Sequence, residues 1–435
     1  MKNRVLHYLI RFLVGDELPN ELVEAVGYTA NPHEFEKYSV VIIPSGFFDS
    51  SHYGTTASLP TLPLPEIEGI PLLFGEPTGE WVGDTWVTRA DIIASTYFLV
   101  SRYEEMVRRE TRDEHGRFPG KESLPYRAGF LHRPIVDEYR QLLHRWLRLS
   151  LPDIPEPAPM IRQIYLTHDV DAPTLYRSWK GFARSLLGGR GWQRSIEGKF
   201  GAIERDPYYT FPWLFQQDEL LRDTFGKATC RSLLFLRSGG DSLFDKPHYS
   251  LHSRDLNRLI HSAQEREIEI GLHSSYRAGE RPSLIPGEKE RLERRLGKPV
   301  TSNHHHFLAC REPEDLDLLE AAGITDDFSM GYADAAGFRL GTSRPVRWIN
   351  PVTRRLSPLL WLHPLTLMDC SLAESKYMGM DYERALAYSL NLAEQVYRFG
   401  GELILLWHNE SVSEHNDGYL RKLYAELLNE LAKNK

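Results

Sequence analysis

Four stretches of this chain place acids or imidazoles directly after apolar runs. In LTHDVDAP, residues 166–173, Asp169 and Asp171 stand two residues apart where such a run ends. Both carboxylates can enter one site as the chain leaves a strand. One can then hold a divalent metal while the other acts as a base, the metal keeping both ionised and lowering the pKa of its water toward ~7. The competing reading is a pair of turn or helix-capping aspartates, which Pro173 favours. GLHSSYRAGE (271–280) sets His273 after the alternating Ile268, Ile270 and Leu272. A lone histidine at such a position is more often a structural hydrogen-bonder, but the aspartate pair and further strand-end histidines make it a candidate ligand. SNHHHFLAC (302–310) holds His304, His305 and His306. Three neighbours cannot all face one ion from a strand; His304 and His306 share a face and His305 points away. LLWHNES (405–411) ends an apolar run at His408, where an imidazole can protonate a leaving group because its pKa lies near working pH.

The elements that must position these residues follow from the pattern. Residues 161–435 alternate strand and helix. Expected strands are 162–169, 230–237, 267–274, 299–304, 323–329, 359–369 and 402–409. Helical patterns lie between them, at 253–267, 311–323 and 381–400 among others. This predicts an α/β fold, a parallel sheet closed or nearly closed into a barrel of the (β/α)7 type. His168, Asp169, Asp171, His273, the histidine triplet, Asp326, Asp327, His363 and His408 then all fall near strand C-termini, the end that carries the site in β/α barrels. Trp348, Trp361 and Trp407 could offer faces to sugar rings, although core packing is the default for tryptophan. GEKERLERRLGK (287–298) reads as a solvated basic helix, with an anion-binding patch as the minor reading.

The stretch LSLPDIPEPAPMIR (149–162) contains four prolines. Neither helix nor sheet continues through it, so a linker is placed at 151–160. It separates the barrel from a smaller mixed α/β domain, residues 1–150. That part shows a buried strand near 39–48 and an amphipathic helix over 88–109. It shows no catalytic cluster, and its charge run RRETRDEHGR (108–117) reads as a solvated loop. The N-terminal apolar run is interrupted by His7 and Arg11, so it reads as part of the fold rather than a leader.

Composition narrows the function. The 435-residue chain carries a net charge of −8, which argues against wholesale binding of nucleic acid or anionic membrane. Its three cysteines have no CxxC spacing, which argues against a disulfide framework or a cysteine zinc site. No run reaches the roughly 18 apolar residues of a membrane span. A cytoplasmic location is the expectation.

LTHDVD, GLHSS, HHHFL and LLWHN, in that order on successive strands, resemble the motifs of the polysaccharide deacetylases, the NodB-homology domain of carbohydrate esterase family four. The resemblance covers roughly residues 160–435. ADIIASTYFLVSRYEE and GRFPGKESLPYRAGFLHRPIVDEY resemble an uncharacterised domain that precedes the deacetylase domain in some bacterial members. The resemblance implies a distorted β/α barrel that removes N- or O-acetyl groups from glycans with one divalent metal, usually zinc. It implies Asp169 as general base, Asp171 and His273 as metal ligands, and His408 as general acid. Two positions depart from the family. Arg277 stands where a second histidine ligand belongs, and a guanidinium cannot ligate zinc. The family's arginine and proline of the next motif are replaced in His304–Phe307. Zinc takes three protein ligands and an open position; His306 or His304 could supply the third, with His306 favoured because it aligns with the motif's inner position, and otherwise the metal is weakly held or absent.

The expectation is therefore a metal-dependent carbohydrate deacetylase, with Asp169 and His408 catalytic and Asp171, His273 and His306 on a divalent metal, Zn²⁺ by the resemblance. Its substrate would be a glycan or an intracellular sugar intermediate. Two alternatives stay open: an inactive glycan-binding barrel, motivated by Arg277, and a DxD glycosyltransferase.

Overall fold

The computed structural model describes residues 3–155, 157–177, 182–183, 192–414 and 418–433. Four strands of the N-terminal part form one sheet: β1 (Val26–Tyr28), β2 (Val40–Ile42), β3 (Gly75–Val82) and β4 (Thr85–Ala90), in the order β1-β2-β4-β3. The helices α1 (Asn3–Val14), α2 (Ile92–Val100) and α4 (Ile135–Arg148) bury their apolar residues with it in one core. All nine residues of α2 are buried, as expected of a helix that is apolar all round.

Nine strands form the C-terminal sheet: β5 (Gln163–Val170), β6 (Cys230–Leu236), β7 (Glu269–Ser274), β8 (Ser302–His305), β9 (Asp326–Asp327), β10 (Val346–Asn350), β11 (Arg355–Leu362), β12 (Leu367–Met368) and β13 (Glu402–Leu406). Their order is β10-β11-β9-β8-β7-β6-β5-β13-β12. Every pairing is parallel except β10 with β11. Helices such as α5 (Phe211–Phe225), α6 (Arg254–Glu265), α7 (Ile285–Leu296), α8 (Tyr382–Phe399) and α9 (Tyr419–Lys433) supply apolar residues to the core on the sheet's outer face. The inner face holds a separate small core of Tyr165, Leu233, Phe235, Phe328, Ile404 and Leu406.

That inner core shows how far the sheet bends. Tyr165 lies on β5 and Phe328 just past β9, four strand positions away. In a flat sheet these would stand about 19 Å apart. Their rings lie 5.0 Å apart, so the sheet curls on itself. The hydrogen-bonded ladder nevertheless has two ends, β10 and β12, among the described residues. The fold is thus a strongly curled, mainly parallel α/β sheet, and closure into a barrel is not part of its ladder.

Three local differences from the sequence pattern have clear causes. The 359–369 run splits into β11 and β12 around Pro364, which has no N–H to give a ladder. The 88–109 helix divides into α2 and α3 (Tyr103–Val107), because Arg102 adopts φ 58°. That turn sends its buried guanidinium to Glu105 Oε2 and to the Cys310 carbonyl, at 2.5 and 3.0 Å. The 108–117 run is not a solvated loop. His115 and Arg117 are buried, and Arg117 Nη1 donates to the Phe307 carbonyl at 2.8 Å.

The two parts of the chain share buried charge pairs. Arg339 donates to both oxygens of Glu105 at 2.9 and 2.8 Å, and Arg344 Nε to Asp137 at 2.8 Å. Burial alone would raise the Glu105 pKa; Arg102 and Arg339 reverse this and hold it near 2. No helix among the described residues is long and apolar enough to cross a membrane.

Candidate metal centre

Strand alternation decides which side chains enter the curled interior. Along β5, Tyr165 joins the inner core, while Ile164, Leu166 and Val170 join the core shared with the helices. Asp169 has the parity of Tyr165 and so faces inward; Asp171 follows two residues later. On the neighbouring strands His273 pairs directly with His304. The C-terminal ends of β5, β7 and β8 thereby bring four of the expected residues to one place.

Asp171, His273 and His306 meet most closely. Asp171 Oδ1 lies 3.0 Å from His273 Nε2 and 3.0 Å from His306 Nδ1, and the two nitrogens are 3.1 Å apart. Tautomers can be assigned from the other ring nitrogens. His273 Nδ1 is 2.9 Å from the His304 carbonyl and His306 Nε2 is 3.0 Å from the Phe244 carbonyl. A carbonyl only accepts, so each of these nitrogens carries the proton. In the neutral rings the nitrogens facing Asp171 are then bare lone pairs. Two lone pairs and a carboxylate oxygen converge with no donor between them, which is unfavourable unless a cation or an extra proton sits there. Donors bound to one zinc at 2.0–2.1 Å themselves lie about 3 Å apart. A backbone carbonyl behind each ligand imidazole is the usual support of a metal-binding histidine. The residues present therefore fit a divalent metal. Burial works to raise the Asp171 pKa, but His306 and His273 hold it well below the usual carboxylate range.

Asp169 sits beside this triangle. Its Oδ2 lies 2.9 Å from His304 Nδ1, 3.6 Å from His273 Nε2 and 3.9 Å from His408 Nε2. The His304 approach is close but out of line, so it makes no hydrogen bond, and Asp169 Oδ1 is a buried acceptor without a partner among the described residues. Burial favours its protonated form; His273, His304 and His408 outweigh that and lower its pKa. Asp169, His273 and His304 are also close enough to share an ion, as are Asp369, Cys370 and His408. The second of these trios is better described by its hydrogen bonds. His408 Nδ1 lies 2.8 Å from Asp369 Oδ1, and the His408 backbone N–H donates to Asp369 Oδ2 at 2.9 Å. The buried carboxylate fixes the ring and leaves Nε2 facing Asp169 and Asp171, each at 3.9 Å. Burial opposes the charged imidazole, yet Asp369 raises the His408 pKa well above its ordinary value.

A cavity of about 430 Å³ opens over these groups, with Asp169, Asp171, His304 and His408 in its wall. Arg117, Tyr208, Lys376, Tyr377 and Glu410 also line it. Burial and Asp171 push the Glu410 carboxyl up to about 8. Sequence reasoning missed Asp369, although it ends an apolar run just as Asp169 does. Arg117 carried no such signal, because it arrives from the N-terminal part.

Other candidates lie elsewhere. His168 points into the helix layer, with Nε2 3.1 Å from Asp218, since its parity on β5 is opposite to that of Asp169. His305 turns away toward Ser329 and Asn303. His363 bridges Asp326 and Glu402, the latter at the N-terminal start of β13, so this group belongs to the opposite end of the sheet. Asp327 receives hydrogen bonds from Asn303 and Ser329. Trp348 and Trp407 are core, with Nε1 bonded to Asp317 and the Leu420 carbonyl, and Trp361 lies under Arg347. Arg277 is exposed on the short helix Tyr276–Glu280 and pairs with Glu280 at 2.7 Å.

Comparison with known proteins adds little beyond the geometry. Residues 4–152 match the model of a family of unknown function, DUF7033. No curated protein matches the chain. One solved structure, described as "putative polysaccharide deacetylase from Mycobacterium smegmatis", aligns with 64% of this chain and 86% of its own length, at 14% identity and a TM-score of 0.41. A likeness that slight carries no inference about activity.

Proposed function

We propose that this protein is a metal-dependent carbohydrate deacetylase whose metal is held by Asp171, His273 and His306. The observation that carries the reading is the convergence of two carbonyl-pinned imidazole lone pairs and a carboxylate at 3.0–3.1 Å. It is joined by an ionised carboxylate and a carboxylate-held imidazole, Asp169 and His408, 3.9 Å apart in the wall of one cavity. When bound, a divalent metal would polarise an acetyl carbonyl and acidify water.

The chain's own residues then divide the proton transfers. Asp169, with one oxygen unpaired and its pKa lowered, accepts the proton of the attacking water. His408 Nε2, facing the same space, delivers a proton to the departing amine or hydroxyl. Asp369 keeps Nδ1–H directed inward, so the working nitrogen is always Nε2. The cavity, of about 430 Å³, admits a sugar-sized group, and Tyr208 and Tyr377 are among its lining residues. The test combines metal analysis of the purified chain with acetate release from N-acetylated and O-acetylated sugars. A stoichiometric divalent metal and acetate release dependent on it are expected. A chain that binds no metal and frees no acetate overturns the reading.

A further inference from the structure

A second cavity, of about 570 Å³, lies on the flank of the sheet. Arg237, Arg291, Arg294, Arg295, His248 and His252 line it, together with the turn Ser238–Gly240, and no Asp or Glu does. The chain carries a net −8, so four guanidinium groups around one cavity run against its average. Arg291, Arg294 and Arg295 share one face of α7, being three and four residues apart.

Arg237 lies 3.8 Å from the buried Asp245 carboxylate, whereas Arg291 and Arg295 are held by neutral acceptors. Arg291 Nε donates to the Ser238 carbonyl and Arg295 Nε to the Leu251 carbonyl, each at 2.7 Å. Among the described residues neither forms an ion pair. Arg294 has, among the described residues, only Glu290, at 3.9 Å between two side chains that are 68% exposed, a pairing of little strength. The turn adds donors of its own. The N–H groups of Gly239 and Gly240 make no hydrogen bond among the described residues. A side chain at 239 would meet Arg291 Nη2 and Glu288 Oε1, each at 2.6 Å, and one at 240 would meet the Asp245 carboxylate, while Gly240 also has φ +96°. Unbonded N–H groups in a turn, with guanidinium forks in the same cavity wall, are donors of the kind that anions of several oxygens accept from.

We infer that this cavity binds a phosphate-type anion, a phosphate monoester or a diphosphate. The site adjoins the metal centre through Arg237, which is buried and donates Nη2 to the Asp171 carbonyl at 2.6 Å and Nη1 to the Asp245 carbonyl at 2.5 Å. The inference does not depend on the deacetylase reading, because it concerns binding in the absence of metal.

Calorimetric titration of pyrophosphate into the chelator-treated full-length chain, at constant ionic strength, tests it. Saturable binding is expected. Arg291→Ala and Arg294→Glu should each weaken it tenfold or more, and Asp171→Asn should leave it unchanged. Arg294 is exposed, so its variant keeps the test open if loss of the Arg291–Ser238 bond disturbs the fold. Absence of saturable binding, wild-type affinity in both arginine variants, or loss of binding in Asp171→Asn overturns the inference. Inorganic phosphate and an N-acetylhexosamine 1-phosphate form the second arm. Tighter binding of the sugar phosphate supports a site for a conjugate, and equal binding supports one for free phosphate.

Discussion

The curled sheet carries a cluster of acids and imidazoles at each end, and the two hold their protons in opposite ways. At the β13 start, His363 Nδ1 lies 2.7 Å from Glu402 and Nε2 3.0 Å from Asp326. Both ring nitrogens face carboxylates, so both donate and the ring is an imidazolium. Burial opposes that charge, yet Glu402 and Asp326 raise the His363 pKa to about 9. At the other end His273 and His306 give their protons to carbonyls and turn lone pairs toward Asp171. One cluster is complete as a structural ion pair, whereas the other calls for a cation. The two differ not in residue type or burial but in what the second nitrogen of each ring touches.

Breaking each cluster should separate them sharply. Asp171→Asn and His306→Gln are each expected to weaken metal retention by about 100-fold or more, since each removes one of three protein ligands. His363→Gln should leave metal content unchanged. Competition with a chelator of known affinity measures this. Equal retention in all three variants would show that the lone-pair cluster is not the metal centre.

The next effect falls on turnover rather than metal. Asp169→Asn is expected to keep the metal and to lower acetate release by about 10²–10⁴-fold, the usual contribution of a general base. Asp369→Asn should cost less, on the order of 10-fold to 100-fold, because His408 Nε2 survives with its ring less firmly held. An Asp169→Asn enzyme with wild-type turnover would remove that residue from the reaction.

The strand-end residues were legible in the sequence because a parallel strand buried on both faces writes itself as an apolar run, and the polar residue that ends it is conspicuous. Period-two parity also separated His305 from His304 and His306. The same rule misplaced His168, because it marks strand ends without saying which face looks inward. It misplaced His363 and Asp326 because the short β9 is paired near its start, with Asp326 opposite Ser302. The curl of the sheet and the reach of Arg117 into the site depend on contacts between distant segments, such as the 5.0 Å approach of Tyr165 and Phe328. Local pattern holds no record of those.

Stability and metal affinity should respond to pH with opposite sign. The His363 pKa of about 9 in the folded chain lies above the unfolded value near 6.5. Its stabilisation is fully present below pH 6.5 and is lost as pH rises toward 9. The shift corresponds to about 3 kcal/mol at most. Urea unfolding of the metal-free wild type should therefore weaken over that window, and His363→Gln should flatten the dependence. Metal affinity should instead increase from acid toward neutral pH, because protons compete for the two imidazole lone pairs. A wild-type chain as flat as His363→Gln would refute the imidazolium assignment.

The smallest expected effect concerns the loop that carries His306. Phe307 and Leu308 both take positive φ, 61° and 53°, a conformation that side chains other than glycine hold only when their surroundings impose it. The N-terminal part supplies the constraint. Arg117 holds the Phe307 carbonyl, Arg102 the Cys310 carbonyl, and Arg112 Glu312 at 3.0 Å. Arg117→Ala should loosen the His306 ring and weaken metal binding about 3- to 10-fold, near the lower end of the range for groups that orient a ligand. Arg277→Ala, on the exposed helix that resemblance alone would have placed at the metal, should change nothing. Comparing the two by chelator competition asks whether the N-terminal region helps shape the site. If Arg117→Ala lowers unfolding stability while metal affinity stays constant, its hold on Phe307 serves the fold alone.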